Sequence, residues 1–212
     1  MEVSTKSFYT FVLLWAVQYL FLLLSDHLLI DHSLYYNSLQ DQLSFEKIDE
    51  LVEESNAWKW VSFVILPLRT LLRCFLVSIC ICIGGFLLDL EYRLATFFRI
   101  ALIAEFVLLL PILIKIFWFI FIRQNYTIQD LYYFSPLSVL NFFDRNKLDK
   151  WLINPLQALN IFEFLYWLAL AYQLKEVLGK NFRGSLGFVA STYGVGLLIW
   201  VVLVIFLTVS IS

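Results

Sequence analysis

The sequence predicts an all-α fold, a polytopic membrane helix bundle with about five spans plus short amphipathic interfacial helices. Two observations carry that prediction. Of 212 residues, 61% are apolar, 18% aromatic and only 15% charged, which leaves too little polar surface for a water-soluble domain. The apolar residues also gather into runs long enough to cross a bilayer, whose hydrocarbon core takes ~20 helical residues and no fewer than about 17. A net charge of −2 offers no basic excess, so nucleic acid is not an expected partner. The lipid bilayer is.

Five segments satisfy the length, within a single membrane domain, 1–212. The first span is 8–24. Its run KSFYTFVLLWAVQYLFLLL is longer than the apolar stretch of a signal peptide, and the following SDH offers no small-x-small cleavage site, so the span is expected to be retained. The second is placed at 71–88, because the apolar run from Trp60 to Leu88 is too long for one straight span and is interrupted by Pro67, Arg69 and Arg73. Residues 58–68 are then expected to lie in the interface before it. The third span, 97–122, holds Pro111; the fourth is 156–174 and the fifth 188–210. An odd number of spans puts the termini on opposite sides. The short connections LDLEYRLATFFR and LKEVLGKNFRGS carry basic residues, whereas the first connection is long and acidic, which favours an inner N-terminus with Lys6, Arg93, Arg99, Lys175, Lys180 and Arg183 on the inner side.

Two connections are long enough to carry structure. The acidic loop, 25–59, holds eight of the 17 acidic residues beside a single interior Lys47. Within it SFEKIDELVEESNAW places Phe45, Ile48, Leu51 and Val52 at helical spacing with acids on the other side, and Ser44 at the start as a cap. This amphipathic helix is too acidic to be drawn to anionic lipid. A basic protein partner, or packing on the protein itself, suits it better. The second connection, 123–155, is rich in aromatics and suits interfacial helices at the headgroup level. Ser135-Pro136 there reads as a cap followed by a first-turn proline, and Asn154-Pro155 repeats the pattern at the entrance to the fourth span.

Ionisable residues inside spans are costly and usually face protein or water. Glu105 sits well inside the third span, ahead of the Pro111 kink; Lys115 lies ten residues on, ~15 Å along an ideal helix and too far for direct pairing. Arg69 and Arg73 share a face of the second helix, and Glu163 is expected about two turns into the fourth, beyond the reach of its dipole. One reading makes Glu105 a proton or cation site with Arg73 or Lys115 as counter-charge. The plainer one has a neutral Glu105, or a charge pair that locks helices together while the arginines snorkel.

Small residues mark expected contacts between helices: Gly84 and Gly85 late in the second span, and Gly187, Gly194 and Gly196 along the fifth. They let backbones approach closely, within the bundle or across a homo-oligomer. Cys74, Cys80 and Cys82 lie in one apolar run and are odd in number, so they read as buried thiols and not as a disulfide framework.

The stretch SDHLLIDHSL contains both histidines, each after an aspartate. Asp26, His27, Asp31 and His32 have the types of a zinc site, which wants three or four ligands, but they converge only if the chain bends between them. Otherwise the stretch marks the water boundary of the first span. Asn125-Tyr126-Thr127 matches a glycosylation acceptor. No serine elbow, HExxH, CxxC or phosphate loop is present, and no cofactor is expected.

The order of GGFLLDLEYRLATFFRIALIAEFVLLLP, NPLQALNIFEFLYWLALAYQL, KNFRGSLGF and STYGVGLLIW resembles the Yip family (Ypt-interacting proteins), over roughly Trp60 to Ser212. The Asp-His stretch and acidic helix depart from that pattern. The resemblance implies a five-span, non-enzymatic membrane adaptor. From the residues themselves three expectations stand: an adaptor or organiser binding a protein partner, a small transporter or permease subunit using Glu105 near Pro111, and an intramembrane metalloenzyme using His27 and His32.

Overall fold

A computed structural model describes residues 2–89, 94–144 and 147–211, and these form helices joined by turns, with no strand among them. Ten α-helices follow in order: α1 Glu2–Leu29, α2 His32–Leu39, α3 Phe45–Phe86, α4 Leu94–Ala104, α5 Leu110–Phe117, α6 Ile128–Tyr133, α7 Lys150–Ala158, α8 Ile161–Leu178, α9 Phe182–Val189 and α10 Val195–Ile211. The 3₁₀ turns Glu105–Leu109 link α4 to α5, and the π-helical turns Ala190–Gly194 link α9 to α10, so each pair is one continuous rod.

Among the described residues, four rods are long and apolar enough to cross a membrane: Ser7–Leu29, Phe45–Phe86, Leu94–Ile122 and Phe182–Ser210. The chain is therefore an integral, multi-pass membrane protein. α8, at 18 residues, carries Glu163, Lys175 and Glu176 and is less apolar, yet it runs through the centre of the bundle. Its Tyr166, Leu170 and Leu174 are buried, in a core shared with Leu14, Ile81 and Phe97. The last rod turns Leu198, Ile199, Val202 and Phe206 outward, a surface suited to lipid and not to water.

The two ends of the bundle differ. At one end α1 stops at Leu29, whose carbonyl accepts from the Tyr126 hydroxyl at 2.9 Å, and α2, α6 and the first half of α3 pack beside it. At the other end lie the turn after Phe86 and the α8–α9 hairpin, where Gly179 takes the left-handed conformation at φ 59° and ends α8.

The second span departs from the sequence expectation. Instead of an interfacial piece before Pro67 and a span from residue 71, α3 is one helix of 42 residues, about 63 Å long at 1.5 Å per residue. Proline removes one backbone donor and usually bends or breaks a helix. Here α1 splints both sides of it: Lys59 pairs with Asp26 at 2.9 Å, Tyr19 packs on Phe63, and the Thr70 hydroxyl lies 3.1 Å from both Gln18 Oε1 and the Leu66 carbonyl. The amphipathic acidic helix and the spanning helix are thus a single rod.

The fourth span also differs. Asn154-Pro155 does not open it, because Pro155 lies inside α7. The chain breaks at Leu159, and Asn160 caps α8 through its Oδ1, which accepts from the Glu163 N–H at 2.9 Å. Two backbone bonds hold the break: Val139 N–H to the Leu159 carbonyl at 2.9 Å and Ile161 N–H to the Leu137 carbonyl at 3.2 Å. Nor does Ser135-Pro136 start a helix; it lies in a turn, with Leu137 at φ 54° and the Ser135 carbonyl accepting from Asn141 Nδ2.

Candidate functional site

Three of the four rods and α8 meet at one guanidinium. Arg73 of α3 places its Nε 3.1 Å from Glu105 Oε1, and its terminal nitrogen 2.8 Å from Glu163 Oε2. The same nitrogen lies 3.3 Å from the Tyr193 hydroxyl, which itself donates to Glu163 Oε1 at 2.6 Å. Beneath the guanidinium lies the Tyr166 ring, 5.0 Å from its centroid, a cation–π contact. Glu105 is 3% exposed and Glu163 9%. Burial of this kind is stable only where charges are paired and hydrogen-bonded.

Glu105, Tyr193 and Glu163 reach the cluster from a 3₁₀ turn, a π turn and a helix start, whereas Arg73 and Tyr166 project from regular helix. Glu105 begins the 3₁₀ turn of its rod, which leads into Pro111 near the start of α5. Tyr193 sits in the π turn of the last rod; such insertions turn a helix face and recur at functional sites. Glu163 lies in the first turn of α8, since that helix begins at Ile161 and not at Pro155. The expectation that it lies beyond reach of the helix dipole is therefore corrected: the positive end of α8 supports the carboxylate.

The two carboxylates are held differently. Glu163 accepts from Arg73 and Tyr193 with both oxygens, whereas Glu105 Oε1 makes an ion contact with Arg73 Nε that lacks hydrogen-bond alignment. The Tyr166 hydroxyl is buried without a hydrogen-bond partner. Arg69, one turn before Arg73, is exposed, and among the described residues neither it nor Lys115 forms an ion pair. Of the two suggested counter-charges for Glu105, the structure brings up Arg73 alone.

The glycines divide. A Cβ on Gly84 would stand 1.9 Å from Thr192 Cγ2, one on Gly194 2.7 Å from Trp167, and one on Gly196 2.6 Å from Cys80 Sγ, so these three let α3, α8 and the last rod approach closely. Gly85 faces Phe97 at ordinary contact distance, and Gly187 has nothing within 4 Å. Cys74, Cys80 and Cys82 are free thiols.

The Asp-His stretch is dispersed. α1 runs on through His27, which is exposed, while Asp26 is taken by Lys59 and Asp31 caps α2 by accepting from the Leu34 N–H at 2.9 Å. The His32 side chain lies outside the described residues, as does Arg93; among the described residues no three metal-ligating side chains gather. At the same end Tyr36 donates to Asp49, which pushes its phenol above the usual tyrosine range, and burial with Asp31 nearby does the same to Tyr126. Thr127 of the glycosylation-like triplet caps α6 in a capping box with Asp130.

Sequence reasoning missed Tyr193 and Tyr166. Tyr193 is the one bulky polar residue in the small-residue stretch GSLGFVASTYGVG, and Asn160 to Glu163 has the N-x-x-E form of a helix start. Those were the available signals. No protein-family model matches this chain, and neither the curated proteins nor the solved structures contain a significant match.

Proposed function

We propose that this membrane protein is an adaptor or organiser that presents the outer half of α3 to a basic protein partner. One observation supports this most. α3 is about twice as long as a ~30 Å hydrocarbon core requires, and its first turns carry Glu46, Asp49, Glu50, Glu53 and Glu54 exposed to solvent. The arm is braced: Tyr35 hydrogen-bonds Ser55 at 3.0 Å, Tyr36 holds Asp49, and Ile48 and Val52 are buried. A rigid acidic surface favours a positively charged partner through orientation and encounter rate. The adaptor role is also what the Yip resemblance implies. With the N-terminus inside, as the basic hairpin of Lys175, Lys180 and Arg183 favours, the arm faces outward. Photo-crosslinking from positions 50 and 53 in native membranes, followed by identification of the product, tests it. A salt-sensitive product with a basic protein, lost on reversal of Glu50, Glu53 and Glu54 to Lys, is expected; the same products after reversal would remove the reading.

A small-carrier role is favoured by a separate observation, the pairing of Glu105 with Arg73 beside the break between α7 and α8 and the irregular turns of two rods. Broken helices at membrane depth line the ion sites of many carriers. Glu105→Gln in proteoliposomes should then abolish flux of the carried ion, and unchanged flux would exclude the mechanism.

A further inference from the structure

We propose that Arg73, Glu105 and Glu163 form a proton-binding site, with both carboxyl groups buried and the guanidinium between them partly exposed, that holds one proton at neutral pH. Charge counting leads to it. Arginine is always cationic in proteins, so with both carboxylates ionised the cluster carries one surplus negative charge in a place where an uncompensated charge is expensive. Among the described residues the groups that face the pair from every packed element add no second buried cation, and exposed Arg69 offsets the surplus only from outside the buried cluster. α3 supplies Arg73 and the Cys74 thiol, with Arg69 exposed a turn away; the α4–α5 rod supplies Glu105; α8 supplies Glu163 and Tyr166; the last rod supplies Tyr193; and α1 brings the uncharged Gln18, bonded to Thr70. Lys115 lies ~15 Å along the helix from Glu105.

Hydrogen bonding decides where the proton resides. Glu163 is satisfied as an anion by Arg73, Tyr193 and the start of α8, while Glu105 Oε1 accepts no aligned hydrogen bond. Glu105 is therefore the carboxylic acid and Glu163 the carboxylate. Binding is simple: a proton joins one Glu105 oxygen, the surplus charge disappears, and no other bond changes. Two acids at one site cannot easily both ionise, so the occupancy of each depends on the other. This assignment rests on the geometry of the cluster and not on the carrier reading; a protein that holds the proton without moving ions shows the site without flux.

Infrared spectroscopy of the full-length protein in lipid nanodiscs at pH 7 tests it, through the carbonyl stretch of a protonated carboxylic acid. The wild type should show such a band, undiminished when choline chloride is exchanged for sodium chloride. Glu105→Gln should lose it. Glu163→Gln should lose it too, because one carboxylate then balances one guanidinium; an isolated buried acid at Glu105 would keep it. A wild-type spectrum without the band overturns the proposal with no variant needed, as does a band that survives Glu163→Gln at full strength. A band removed by sodium overturns the proton as occupant in favour of a metal cation.

Discussion

Tyr193 and Glu163, thirty residues apart, meet at 2.6 Å inside the bundle, the hydroxyl donating to the carboxylate. That contact ties the last rod to the first turn of α8, and Arg73 extends the tie to α3 and to Glu105. The cluster thus joins four helical segments at one depth, beside the separate polar ties of α1 to α3 through Asp26 and Gln18 and the apolar packing of the core.

Removing the hydroxyl should weaken that tie. A hydrogen bond to a charged group contributes about 1.5–3 kcal/mol, so Tyr193→Phe should lower the thermal unfolding midpoint in nanodiscs while leaving helix content unchanged. An unchanged midpoint would mean the contact adds nothing to folding.

Arg73 is the more severe test. Leaving the buried Glu163 carboxylate without its cation should cost ~3–5 kcal/mol, and Arg73→Met should therefore lower the yield of folded protein or its unfolding midpoint well beyond the Tyr193→Phe effect. Arg73→Lys should recover only part of it, since a single ammonium lacks the fork that reaches Glu105 and Glu163 together. Full recovery by lysine would count against the bridging role.

The glycines should sort by surroundings. Gly84→Ala drives a methyl into Thr192, and overpacking of this kind costs roughly 1–3 kcal/mol. Gly187→Ala meets open space and should be neutral or slightly stabilising, by up to ~1 kcal/mol, through helix propensity. Comparing the two unfolding midpoints checks this directly; equal losses would refute the packing assignment.

Asn160 should matter more than its solvent-side neighbours. Removing an N-cap costs about 1 kcal/mol, and Asn160→Ala also loosens the turn that aims Glu163 at Arg73. Asn160→Asp keeps the acceptor for the Glu163 N–H but lacks the Nδ2 donor to the Gln157 and Ala158 carbonyls, so it should recover only part of the loss, measured by the same unfolding midpoint, whereas Asn160→Leu should recover none.

Residue types and runs were enough to determine the membrane class and the helical fold, because each span must satisfy its own backbone in hydrocarbon and so writes its length into the sequence. Which charges meet was decided only by tertiary structure. Glu105 and Arg73 are 32 positions apart and Glu163 and Arg73 are 90, and nothing in local spacing relates them. The continuity of α3 past Pro67 depends on α1 lying alongside, and the break at Leu159 depends on Val139 and Leu137 holding it. Proline and asparagine mark places where a helix is able to stop; contacts from other segments decide whether it does.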